Sequence, residues 1–247
     1  MSKIINPHEN EEGLIKSASN PIQRRSFLKY TGAGAALSTL FLIGCKDDDD
    51  LGLDNNFGGV NLGSGDIGIL NYAYALEQLE SAFYTQVIAT KFSGMTAMET
   101  EILTEIRDNE TIHREFLKAA INAKAPGKII RDLTPQFSTI NFMDRDSVLT
   151  TAKTFEDIGV SAYNGAGKLF TDTGLGLDLL VIGGKIVSVE ARHAAMIRQL
   201  LGPITAFAGD DIVSTDKGLD VIRMPAEVLP LVQPFIKEII NGSNLPK

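Results

Sequence analysis

The chain has 247 residues, 44% of them hydrophobic, and a formal net charge of −8. That length and composition fit one core of ordinary size with appendages. No basic patch with interleaved aromatics occurs, so nucleic acid is not an expected partner, and a single cysteine, Cys45, excludes disulfide frameworks and CxxC metal ribbons.

The N-terminal segment reads as a signal outside the fold. Arg24 and Arg25 precede Ser26-Phe27-Leu28-Lys29 and an apolar run from Thr31 to Gly44. The run is too short to span a bilayer. This order resembles a twin-arginine export signal. Leu42-Ile43-Gly44-Cys45 resembles a lipoprotein box, in which the cysteine is lipidated and becomes the mature N-terminus. The resemblance implies an exported protein, held to a membrane by a lipid at Cys45, in the periplasm or on the cell surface. The twin-arginine route carries folded proteins, often with a cofactor already in place. Residues 1–45 would then be the signal. Lys46 and the run Asp47 to Asp50 open a polar, Gly/Asn-rich stretch expected to be a flexible linker over 46–65. A basic residue and acidic run after such a cysteine also resemble the surface-export signal of some bacterial lipoproteins; the plain alternative is a polar spacer.

From residue 66 apolar residues recur at three and four, and no useful alternation of period two appears. The first predicted helix covers roughly 66–91, with Leu70, Tyr74, Glu77, Tyr84, Val87 and Ile88 on its stripe. Ser93 and Gly94 break it. Thr96 with Glu99 forms a capping box that opens a second helix, striped by Leu103, Ile106, Glu110, His113, Leu117 and Ala120 and ended by Pro126-Gly127. A long loop follows. A third helix is expected over roughly 146–171. After a tight turn at Asp172 to Gly174, a fourth runs over roughly 176–201, striped by Leu179, Ile182, Ile186, Glu190, His193, Ile197 and Leu200. Pro225 is placed to start a last helix reaching about Asn241, interrupted near Pro230 and Pro234. Short links within pairs and one long link between them predict an all-α four-helix bundle over 66–203: two antiparallel hairpins joined by a crossover. A C-terminal loop and short helix over 204–247 would pack on it.

The chemistry lies where the stripes turn polar. The second helix carries Glu110-Thr-Ile-His113 and the fourth Glu190-Ala-Arg-His193. Residues at i and i+3 share a helix face, so each pair can reach one metal ion from one direction. The chain has three histidines. His8 precedes the expected cleavage point, and the other two both follow a glutamate by three. Each half-site needs a further carboxylate from a partner helix. The third helix offers Glu156, 34 residues before Glu190. The first offers Glu77, 33 before Glu110, and Glu80, 30 before it. Tyr84 follows Glu77 by seven, as Tyr163 follows Glu156. The repeat selects Glu77. Glu80, whose counterpart is Gly159, would hold a ligand in place, add a ligand or pair with a base. Gly159 would leave room near the ions, and any channel is expected beside it. The tyrosines would fill the core or brace a ligand carboxylate; Tyr163 is expected to serve the site of Glu156.

Four buried carboxylates would repel one another without a counter-charge. Four carboxylates and two imidazoles suit two ions of iron or manganese; zinc more often takes four-coordinate sites richer in nitrogen or sulfur. The set Glu77, Glu110, His113, Glu156, Glu190 and His193 resembles that of the ferritin-like superfamily, which includes rubrerythrins, bacterioferritins and manganese catalases. ALEQLESAFY and TFEDIGVSAYNGA resemble more closely the group that includes desiccation-related proteins. The resemblance, over roughly 66–201, implies a di-metal centre with redox chemistry on peroxide, oxygen or ferrous iron. Small oxidants and metal ions would be its partners, and a homo-oligomer is compatible with the fold. A protective scaffold without catalysis is the competing reading.

Overall fold

The computed structural model describes residues 59–247. The expected signal, the lipidation site at Cys45 and most of the linker lie outside the described residues. Four long helices make the bundle: α1 (Gly65–Thr90), α2 (Ala97–Lys124), α3 (Arg145–Ala166) and α4 (Leu175–Leu201). A short α5 (Pro225–Val232) follows. The helices pack chiefly as two hairpins, α1 with α2 and α3 with α4.

α1 is the centre of the core. Every residue from Gly68 to Ser81 is buried, so this helix has no solvent face for most of its length. A helix enclosed on all sides should be apolar all round, yet Asn71, Gln78, Glu77 and Glu80 are among its buried residues. The crossover accounts for two of them. Asn71 donates to the carbonyls of Leu62 and Lys128 and accepts from the Ile130 amide. The Gln78 carboxamide oxygen accepts from the Leu133 amide. The long link is therefore pinned to α1 by these hydrogen bonds, without a helix of its own. Glu77 and Glu80 belong to the site below.

The capping box expected at α2 is present: the Thr96 hydroxyl accepts from the Glu99 amide while the Glu99 carboxylate accepts from the Thr96 amide. Arg145, at the start of α3, donates to the same carboxylate and to the Leu200 carbonyl. One guanidinium thus fastens α2, α3 and α4 at one end of the bundle.

Three boundaries differ from expectation. α3 stops at Ala166 rather than near 171, because Gly165 and Gly167 weaken the helix and the chain tightens into bonds from Lys168 to Gly165 and from Leu169 to Ala166. The last helix does not reach Asn241. It ends at Val232, passes through a 3-10 turn at Gln233–Phe235, and is stopped by Pro234, which lacks an amide to continue it. The expected linker is ordered at its end. β1 (Val60–Asn61) pairs in parallel with β2 (Ile240–Asn241), and Leu62 is fully buried.

The C-terminal segment packs on the bundle through one close approach. A Cβ at Gly165 would lie 2.0 Å from the Arg223 carbonyl oxygen, so only glycine lets the strand of backbone before α5 cross α3. Beside it the Arg223 amide and guanidinium donate to the Ser161 carbonyl and hydroxyl. Phe235 then packs edge-on against Phe155, with ring centroids 4.9 Å apart.

Candidate metal centre

The six expected residues meet in the middle of the bundle. Glu77 comes from α1, Glu110 and His113 from α2, Glu156 from α3, and Glu190 and His193 from α4. The four glutamates are fully buried. They form two overlapping groups, Glu77–Glu110–His113–Glu190 and Glu110–Glu156–Glu190–His193, each with one ligand-type atom per residue within 4.8 Å of the others.

The distances repeat across the centre. His113 Nδ1 lies 3.6 Å from Glu77 Oε2, 3.4 Å from Glu110 Oε2 and 2.9 Å from Glu190 Oε1. His193 Nδ1 lies 3.6 Å from Glu156 Oε2, 3.4 Å from Glu190 Oε2 and 2.6 Å from Glu110 Oε1. Each imidazole faces a terminal glutamate, the glutamate three residues before it, and the glutamate of the other pair. Glu110 and Glu190 each present one oxygen to either group. The sequence spacing divides the set into halves; the folded centre joins them through two shared carboxylates.

None of these eight atoms has a hydrogen-bond partner, although all are buried. The close approaches do not have hydrogen-bond geometry, because the lone pairs converge on a point between the atoms. Atoms bound to one octahedral ion at ~2.1 Å stand about 3 Å apart along each edge. The observed separations match that spacing. An orphaned buried polar atom is costly, and these eight fall into two groups of four that could each hold a metal ion.

The remaining oxygens of the terminal glutamates are occupied. Tyr84 donates to Glu156 Oε1 at 2.5 Å, and Tyr163 makes a very short bond to Glu77 Oε1. The partners are crossed relative to expectation, since Tyr163 serves Glu77 and not the site of Glu156. Seven residues of helix advance ~10.5 Å, too far for a tyrosine to reach back to its own glutamate. α1 and α3 run antiparallel, so each tyrosine lies level with the glutamate of the other helix.

Glu80 and Gly159 meet on the same antiparallel register. A Cβ at Gly159 would be 3.0 Å from Glu80 Oε1. The space expected beside the glycine is therefore filled by the Glu80 carboxyl, and no channel opens there. Glu80 belongs to neither group, and among the described residues it makes no ion pair with a base.

Electrostatics follow burial. Desolvation, reinforced by the neighbouring carboxylates, pushes the Glu80 carboxyl well above the ordinary range, with Glu110 the strongest of those neighbours. Burial also raises Glu110, joined by the Glu190 charge and opposed by the two imidazoles. It raises Glu156 against the pull of His193. Glu190 moves the other way, to about 2, because both imidazoles outweigh its burial. Burial works against the charged imidazoles, but Glu77 and Glu156 with the shared glutamates hold His113 and His193 above their ordinary value.

One neighbour is not foreseen from spacing. Asn109 stands 3.1 Å from His193 Nε2, on the ring edge away from the cluster. With the carboxamide presenting its oxygen, Asn109 would accept the Nε2 proton and leave Nδ1 as the ligand. Its position beside Glu110 in sequence is the only signal it gives.

Fold and site together define a helical-bundle protein whose core can hold metal among carboxylates and imidazoles. Residues 65–203 match the family model of the ferritin-like domain, and the chain belongs to that family. No curated protein matches it closely enough to count as a relative.

Proposed function

We propose that this chain is an exported, lipid-anchored protein that binds two iron or manganese ions and carries out redox chemistry on peroxide, oxygen or ferrous iron. The observation that carries this reading is the partition of eight unpartnered buried atoms into two sets of four. Iron or manganese, when bound, would supply the one-electron steps and the Lewis acidity. Four protein ligands per ion leave positions open in a six-coordinate sphere for a small oxidant.

The chain's own residues set the conditions for that chemistry. Tyr84 and Tyr163 fix one oxygen of each terminal glutamate and aim the other at the centre. Glu110 and Glu190 span both positions and keep them at a fixed separation. Asn109 orients the His193 ring. The Glu80 carboxyl, pressed against Gly159 at the edge of the cluster, is pushed toward its neutral form by burial and the neighbouring carboxylates. The apolar walls of the bundle keep bulk water from the carboxylates.

With Cys45 as its single cysteine, this chain carries no four-cysteine rubredoxin-type electron centre. Disproportionation of peroxide needs no external electrons and suits an exported protein better than a peroxidase cycle. Among the described residues no helix is long and apolar enough to cross a membrane; membrane attachment is assigned to a lipid at Cys45. Export and anchoring are tested by fractionation and lipid labelling of the wild type and Cys45→Ser; a cytoplasmic, unlabelled wild type would overturn them. The centre is tested by metal analysis of natively exported protein. Two ions of iron or manganese per chain are expected, with peroxide consumption or ferrous oxidation. Stoichiometric metal without either activity favours the scaffold reading, and no metal defeats the di-metal reading.

A further inference from the structure

The two halves of the centre have matching ligands but unlike surroundings. One helical turn beyond the Glu156–His193 half lie Ala152, Ile106 and Ile197, all buried, closed over by Tyr84 and the aromatic packing of Phe83 and Phe155. One turn beyond the Glu77–His113 half lie the equivalent residues Ala73, Leu117 and Ile186, with Tyr163. These four line a cavity of about 320 Å³. It is bounded by α1, α3 and α4, with Leu117 of α2 at its inner end, and reaches the surface near Lys168 and Gly184. That volume is roughly twice that of an engineered apolar cavity that takes up benzene.

The cavity is kept open by the sequence. Gly183 and Gly184 sit side by side within α4, where each costs about 1 kcal/mol relative to alanine. No close backbone crossing requires them. A Cβ at Gly183 would be 3.9 Å from Phe170, and one at Gly184 would have nothing within 4 Å. Elsewhere in this bundle a helix glycine makes room for a neighbour, as Gly165 does for Arg223 and Gly159 for Glu80. At 183 and 184 the space made is the cavity itself. The polar side chains along its inner part are few and engaged elsewhere: the Tyr163 hydroxyl is committed to Glu77 and the Asn164 carboxamide donates to the Val221 carbonyl. Lys168, an exposed cationic residue, is among those lining the cavity, in a chain whose net charge is −8.

We propose that this cavity binds a medium-length aliphatic carboxylate, its chain against Ala73, Leu117, Ile186 and Tyr163 and its head at Lys168. The path is lined mainly by apolar side chains, which suits an organic chain better than a hydrated metal ion. The bound chain would end one helical turn, ~5–6 Å, from Glu77, His113 and Glu190. What the ligand does there rests on the di-metal reading; its binding does not.

The test is calorimetric titration of decanoate and decanol into the whole chain, with and without metal. Decanoate should bind once per chain and more tightly than decanol. Gly183→Leu should weaken decanoate at least tenfold, while Gly183→Ala, which leaves the cavity open, should keep binding and report on folding. Lys168→Gln should weaken decanoate several-fold and leave decanol unchanged. The proposal is overturned if neither ligand binds the wild type, if a folded Gly183→Leu binds as the wild type does, or if decanol equals decanoate. Loss of binding with metal uptake intact condemns this proposal alone; intact binding in a protein that takes up no metal condemns the di-metal reading alone.

Discussion

Tyr84 holds Glu156, a glutamate 72 residues away on another helix, and passes over Glu77 on its own. The reciprocal bond joins Tyr163 to Glu77. Each tyrosine therefore controls the half of the centre that its own helix does not complete. Tyr84→Phe should weaken metal at the Glu156–His193 position and leave the other position nearly unchanged; Tyr163→Phe should do the reverse. Each should also cost about 1–3 kcal/mol of metal-free stability by orphaning a buried carboxylate oxygen. Stepwise metal titration followed by spectroscopy checks the assignment. A Tyr84→Phe protein impaired only at the Glu77 position would refute the crossed arrangement.

Two glycines on α3 predict opposite responses to the same change. At Gly159 an added methyl meets only the end of the Glu80 side chain, 3.0 Å away, and the helix gains about 1 kcal/mol from alanine. Gly159→Ala should change stability by less than about 1 kcal/mol, and its effect should depend on whether Glu80 is present. At Gly165 the methyl meets the Arg223 backbone at 2.0 Å. Gly165→Ala should cost about 3 kcal/mol and loosen the C-terminal segment. Chemical denaturation of the single and double variants measures the first, and proteolysis near residue 223 the second.

Protons and metal compete for the same atoms. In the metal-free protein Glu80, Glu110 and Glu156 are raised above 4.5, so the folded state holds protons that the unfolded chain releases. That contribution is complete below about 4.5 and is lost as pH rises through the raised values. The raised imidazoles act with the same sign at higher pH. Glu190, lowered to about 2, opposes them and loses its contribution only as pH falls toward that value. Metal-free Tm should therefore fall from about pH 5 to pH 8, while the gain on adding manganese should grow, because ligation displaces protons. Scanning calorimetry with and without chelator tests both trends. A metal-free Tm that rises across this range would contradict the electrostatics of the cluster.

Arg198 is 3% exposed and clamps Asp157 and Asp211 on either side. Arg198→Ala leaves Asp157 without its cation and should cost about 2–3 kcal/mol, below the range for a fully buried pair because both acids retain some solvent contact. Asp211→Asn, at the exposed end, should cost under about 1 kcal/mol. Neither should alter metal content. Denaturation midpoints beside metal analysis check both. Loss of metal in Arg198→Ala would tie the clamp to the centre.

The bundle and its ligand candidates were legible because their signals are local. Glu110 with His113, and Glu190 with His193, show their shared face within one helical turn. Glu77 followed from a repeat along the chain. The crossed tyrosines were not legible, because spacing along one helix does not tell the relative direction of two helices. Nor was the occupant of the space at Gly159, which depends on which side chain of α1 lies level with it. Asn71 and Gln78 gave no sequence signal, and Asn109 none beyond its place next to Glu110, since their partners are a loop backbone and a ring edge fixed only by tertiary packing. The two-residue pairing of Val60 and Asn61 with Ile240 and Asn241 was too short for any periodicity to announce it.

The shared glutamates carry a consequence for assembly. The Glu77 group draws on α1, α2 and α4, and the Glu156 group on α2, α3 and α4. Neither hairpin alone contains a complete set. An ion can be captured only after the crossover has delivered the second hairpin onto the first, which makes the centre a checkpoint on docking. Metal would close the bundle as a latch does, with no purchase on either half while they remain apart.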